Sequence, residues 1–133
     1  MKDGLISNND KETWMDTASN DSGRAGFNIE IQALALAMLS HAHESTKDKS
    51  YKNIEEELKS NIIKKCWNGK FLLDNLEDKE MRPNALLAHY SYPALLKNKD
   101  WEKCFDVMLK SLWLDWGGLS TLDKKSPLFS KRH

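Results

Sequence analysis

From Ile31 to Leu39 the chain has one polar side chain, Gln32, and a segment this apolar has to be covered by the rest of the fold. Ala33, Ala35 and Ala37 favour a helix that neighbours can approach closely. The Leu-Ala-Leu-Ala alternation would also suit a buried strand, but the pattern continues to about His43, too long for one. A helix apolar around most of its circumference is expected in an interior, with partners on several sides.

Those partners read as further helices. In Lys47–Trp67, Ile54, Leu58, Ile62 and Cys66 recur every four residues, with Glu55, Glu56, Glu57 and Lys59 between them. Asn68-Gly69 supplies a stop, and Phe71–Leu76 is a loop or a brief strand. A third helix is expected after Arg82-Pro83-Asn84, with Asn84 as a possible N-cap, running to about Lys97 and kinked or interrupted at Pro93. A fourth begins after Asp100, a suitable N-cap, with Trp101, Phe105, Met108, Leu109 and Leu112 as its inner stripe, and breaks at Trp116-Gly117-Gly118-Leu119.

The expected fold is all-α, two helical hairpins joined by long loops, because the connections are longer than those of a compact four-helix bundle. With 133 residues there is room for one domain: a loop segment over residues 1–27 anchored by Leu5, Ile6, Trp14 and Met15, helical hairpins over 28–116, and a loop tail over 117–133.

Several function classes drop out. Twenty basic residues balance twenty acidic ones, which argues against nucleic acid or an anionic membrane as partner. No run of about 18 apolar residues exists to span a bilayer, and the first residues lack the apolar core of a signal peptide. Cys66 and Cys104 lack paired spacing and read as small core residues, so a reducing, cytoplasmic location is expected. His41 and His43 fall on different sides of a helix, a poor geometry for one metal. No phosphate-cradling glycine loop and no Ser or Cys nucleophile motif occurs, and no metal or cofactor is expected.

What remains is carboxylates and aromatic rings. Asp16 follows Trp14 closely, and partial desolvation beside an indole can raise a carboxyl's pKa into the range of a general acid. An aspartate in a loop equally suits a helix cap. Glu30, inside an apolar stretch, needs a partner, and Arg24 is near enough in sequence to form a structural bridge or one wall of a polar sugar pocket. Arg82 and Asn84 suit either hydroxyl binding or the start of the third helix. Of the five tryptophans, Trp67, Trp101 and Trp113 sit at helix-stripe positions and are expected in the core, while Trp14 and Trp116 lie in loops where a ring can stack on a sugar.

The order Asp3-Gly4-Leu5-Ile6, Thr13-Trp14-Met15-Asp16, Gly23-Arg24-Ala25-Gly26-Phe27 and Ile29-Glu30-Ile31-Gln32-Ala33-Leu34 resembles the glucosidase domain of glycogen debranching enzymes. Downstream, Arg82-Pro83-Asn84-Ala85 is similar to that family's Arg-Pro-Asn-Gln, and Gly118-Leu119-Ser120-Thr121-Leu122 to its Gly-Leu-Arg-Thr-Leu. The resemblance implies part of an (α/α)6 toroid and an inverting amylo-α-1,6-glucosidase that removes glucose at glycogen branch points. It makes Asp16 the general acid and puts Trp14, Arg24, Glu30, Arg82 and Asn84 at motif positions that line or brace the sugar pocket. Neutral invertases share a similar Ile-Glu-Ile-Gln-Ala-Leu helix behind an aspartate, so the fold is better specified than the substrate.

The chain departs from the pattern at Ala25, Ala35, Ala85 and Ser120, where the family carries proline, tryptophan, glutamine and arginine. A full toroid needs about 12 helices, and this chain offers about four. The expectation is therefore a piece of such a domain that holds the acid without the base, with self-association or a non-toroidal repacking covering the open faces of an incomplete ring. The alternative is a non-catalytic carbohydrate-binding or helical interaction module that keeps the toroid signature.

Overall fold

A computed structural model describes residues 3–14, 24–77 and 80–129. Among these the regular structure is helical: α1 over Ile29–Thr46, α2 over Lys49–Cys66, α3 over Asn84–Ser91, a 3-10 turn over Pro93–Leu95 and α4 over Asn98–Leu112. The all-α expectation holds for the described residues, which contain isolated β-bridges and no strand.

Local chemistry sets the ends. Lys47 closes α1 in the left-handed region at φ 60°, its N–H donating to His43 O at 2.8 Å. Asp48 then opens α2 as N-cap, accepting from Ser50 N at 2.8 Å, and this bond holds its carboxyl below the usual range. With only Lys47 and Asp48 between them, α1 and α2 fold back on each other as a hairpin. After α2, Asn68 Oδ1 accepts from Lys70 N and Phe71 N, and Leu73 N reaches back to Cys66 O at 2.9 Å. Phe71–Leu76 is thus a hook, paired to the end of α2 by one bridge between Trp67 and Leu72.

Two helix starts differ from expectation. Pro83 occupies the N-cap position of α3 and Asn84 is its first residue, with the amide employed elsewhere. The fourth helix begins at Asn98 behind Lys97, so Asp100 sits inside the first turn, where it suits the helix dipole. Pro93 interrupts: α3 stops at Ser91 and Pro93 opens the 3-10 turn.

α1 packs against both α2 and α3. Leu36, Leu58, Ile62, Met108, Leu112 and Leu95 form the centre of the core, joined by Leu5 from the N-terminal segment. Both cysteines are buried there, and burial pushes the Cys66 thiol up to about 11. α3 meets α4 through His89, whose ring stands edge-on to Trp101 and Phe105 at 4.8 and 5.2 Å.

The apolar pattern misleads at three places. α1 is not covered on every side: Leu34 and Met38 are 54% and 65% exposed. In α2 the inner stripe is Glu55, Leu58, Ile62 and Cys66, while Ile54 faces outward. Glu55 is tolerated inside because the Tyr92 hydroxyl donates to Oε1 and Lys52 Nζ lies 3.2 Å from Oε2. Burial, then the neighbouring Glu55, raises the Tyr92 phenol well above its ordinary value. Trp113, expected inside, is half exposed, and Leu109 lies outside the buried stripe of Trp101, Cys104, Met108 and Leu112.

The two isoleucines of α2 separate pattern from burial. Ile62→Ala is expected to cost about 2–5 kcal/mol. Ile54→Ala, at a position facing outward, is expected to cost less than about 1 kcal/mol. Urea unfolding of both variants measures the difference.

Candidate functional site

The residues singled out from sequence converge on one that was not. Asp74, in the hook after α2, is buried, and its Oδ2 accepts from Arg24 Nη1 at 2.6 Å. Arg82 Nε lies 3.6 Å from the same oxygen. Asp74 Oδ1 accepts from Asn84 Nδ2 at 2.7 Å, and Asn84 Oδ1 accepts from Trp14 Nε1 at 2.9 Å. Arg24 extends its other terminal nitrogen to Glu30 Oε1, also at 2.6 Å. Trp14, Arg24, Glu30, Arg82 and Asn84 therefore form one connected network around Asp74.

Each element presents its member for a local reason. Glu30 lies in the first turn of α1, where a carboxylate faces the positive end of the helix dipole. The start of α1 is held in turn by the hook, as Ile29 N donates to Asp74 O at 2.9 Å. Asn84 can turn its side chain into the network because it is the first residue of α3 and not its cap.

The N-terminal segment is stitched to this frame by side-chain amides. Gln32, the polar residue of the apolar run, accepts from Ile6 N at 2.9 Å and donates to Ile6 O at 2.6 Å. Asn8 exchanges backbone hydrogen bonds with Gly26, both at 2.9 Å. Asn28 Nδ2 donates to Asn8 Oδ1 and to Arg24 O, and its Oδ1 accepts from Asn75 Nδ2 at 3.0 Å. At Gly26, with φ +110°, a Cβ would be strained and would meet Asn75 Nδ2 at 3.4 Å.

Among the described residues the cluster is buried and carries both signs of charge. Two guanidinium groups face two carboxylates, all at most 8% exposed. Burial works against the Arg24 charge, but Asp74 and Glu30 outweigh it and hold its pKa above the ordinary value. For Glu30 burial wins over the pull of Arg24, and its carboxyl titrates above the ordinary value. Glu30 Oε2 and Arg24 Nε have no hydrogen-bond partner among the described residues.

Trp14 differs from the rest. Its ring is 58% exposed although its N–H is bound to the buried Asn84. Asp16 lies outside the described residues, in the stretch 15–23 between Trp14 and Arg24. Trp116, the other loop tryptophan, is exposed at the far side of α4 in sequence, on a turn closed by the bridge between Trp113 and Leu119. No cluster of three or more His, Cys, Asp or Glu side chains suited to a metal occurs among the described residues. Nor is any helix among them long and apolar enough to cross a membrane.

Asp74 was legible by a rule applied elsewhere. It is a charge in the apolar stretch Phe71–Leu76, as Glu30 is in its own stretch, and both need a cationic partner.

Two measurements probe the cluster. Asp74→Ala removes a carboxylate shared by two buried guanidinium groups and is expected to cost about 3–5 kcal/mol in urea unfolding. Because the folded-state pKa of Glu30 is raised, the folded state binds its proton more tightly than the unfolded chain does. Wild-type stability should therefore fall, relative to Glu30→Gln, as pH climbs from the ordinary value of 4.5 to the higher folded-state value. Parallel unfolding curves of the two proteins across that window check the sign.

A family model described as amylo-alpha-1,6-glucosidase matches residues 1–133. No curated protein and no solved structure matches the chain. With the match extending over the whole sequence and the motif residues gathered in one network, the chain belongs to the amylo-alpha-1,6-glucosidase family.

Proposed function

We propose that this glycoside hydrolase-related chain acts on α-1,6-glucosidic branch points of glycogen-like glucans by an inverting acid–base reaction. The family match over residues 1–133 carries the reading. Asp16 is the general acid that protonates the leaving glycosidic oxygen, and a second carboxylate activates water on the opposite face of the sugar. Glu30 and Asp74 are unsuited to that second role, since both are buried and held by arginine. The base is a different carboxylate, about 6.5–9.5 Å from the acid as inversion requires.

The network supports this assignment of parts. Trp14 and Arg24 border the stretch that carries Asp16, and both are tied to the Asn84–Asp74 pair. Trp14 offers a ring on which a glucosyl unit stacks, while Arg24, Glu30, Arg82 and Asn84 brace the pocket from beneath. In the same reading the outward faces of α1 and α3, with Leu34, Met38, Leu87 and Tyr90, are covered by neighbouring helices of an (α/α)6 ring or by a second copy of the chain.

A non-catalytic carbohydrate-binding role is the second reading, and Ser120 favours it. Where the family carries arginine, Ser120 is buried and its hydroxyl lies 2.6 Å from Leu122 O and 3.1 Å from Leu112 O, its one proton serving the chain's own backbone.

Glucose release from a glucan bearing single α-1,6-linked glucosyl branches distinguishes the two. The expected result is glucose that appears first as the β-anomer, with release reduced at least about 100-fold in Asp16→Asn. Release that survives in Asp16→Asn sinks the acid assignment. Binding without release from either protein, unchanged when formate is added to stand in for an absent base carboxylate, establishes the second reading.

A further inference from the structure

Trp14 carries its exposed ring on a hydrogen bond to the fully buried Asn84, and the direction of that bond is dictated from below. We propose that Asp74 is a positioning residue that, through Asn84, holds the Trp14 indole as a preset platform for a glucosyl ring. This rests on the glucan reading above for its ligand, while the relay from Asp74 to Trp14 stands on the geometry alone.

An indole N–H donates and never accepts, so it must meet the oxygen of Asn84 and not its NH2 group. A primary amide has both ends, and nothing within Asn84 selects between them. The selection comes from its other neighbour. Asp74 Oδ1 takes Asn84 Nδ2 at 2.7 Å, which leaves Asn84 Oδ1 for Trp14 Nε1 at 2.9 Å. Asp74 is held in that role by Arg24 Nη1, 2.6 Å from its second oxygen.

The alternative orientation is costly. Asn84 is 0% exposed, so turning its amide round would set its oxygen against the Asp74 carboxylate in a buried contact, where no solvent relieves the mismatch. The acidic group under the surface therefore fixes the ring at the surface. With its N–H engaged, the ring presents carbon to solvent, the surface suited to the C–H face of a pyranose. Holding that ring still before the sugar arrives removes an ordering cost from binding.

The test uses the full chain labelled with 5-fluorotryptophan, its five fluorine lines assigned with the help of Trp14→Phe. In Asp74→Asn, Arg24 takes the oxygen of the replacement amide and leaves its NH2 facing Asn84, so the bond that aims Asn84 Oδ1 at Trp14 is lost. The expected result is a displaced or broadened Trp14 line with the line of the buried Trp101 unmoved. The Kd for panose, a glucose trisaccharide with an α-1,6 bond, should weaken about tenfold.

If Asp74 were only a stability element, Asp74→Asn would lower the Tm and leave the Trp14 line and the panose Kd of the folded protein unchanged. That outcome overturns the proposal. Panose that moves no line of the wild type overturns the glucan reading, and the ligand-free spectra still judge the relay separately. Should Asp74→Asn fail to fold, hydrogen exchange in the wild type decides. The Asn84 amide and Trp14 indole protons should exchange at least about tenfold more slowly than the indole proton of Trp116. Equal rates would overturn the relay.

Discussion

The Asp74 carboxylate lies between Arg24, Arg82 and Asn84, and three stretches of chain without regular pairing depend on it. Its side chain ties the N-terminal segment to the start of α3, while its backbone carbonyl holds the first N–H of α1. Burying an aspartate is unfavourable unless its oxygens are fully engaged. Here one oxygen has a short bond to arginine and the other a bond to an amide, so the unfavourable desolvation becomes a specification of geometry. A hydrophobic substitute could fill the volume but could not choose which groups meet.

Around that centre, asparagine and glutamine do the work that sheet or helix pairing does elsewhere. Backbone groups of a buried loop need partners as much as those of a strand. Gln32 satisfies both polar groups of Ile6, and Asn8, Asn28 and Asn75 link Arg24, Ala25 and the hook. The N-terminal segment is therefore ordered by side chains from helices and hook, and Leu5 can be driven fully into the core. The chemistry proposed for this end of the molecule thus sits on a frame of fixed hydrogen-bond directions.

How much of this was legible depended on whether a feature is local. Helix existence followed from the periodic pattern, and Pro93 broke α3 as its missing N–H demands. Helix phase was less legible. A four-residue spacing drifts from the 3.6-residue turn, which put Ile54 on the stripe and concealed Glu55, whose burial depends on a tyrosine 37 residues away. Trp113 was read inward because it continues a stripe, but the chain turns at that point and leaves the ring half exposed. The five motif residues were chosen as separate side chains. Their common partner came to light only when bonds spanning 50 and 70 positions in sequence were closed.

The short link at Lys47 and Asp48 has a consequence for the order in which the molecule assembles. α1 and α2 are adjacent in sequence and meet after closing a small loop, whereas joining Trp14 to Asn84 spans 70 positions. Loop closure grows more costly with length, and local contacts form sooner. Contact order therefore favours the helical hairpin as an early-forming unit and the polar cluster at the start of α1 as a later one. A destabilised chain would lose that cluster first and keep the hairpin, so the candidate site is the region where the folded state begins to come apart.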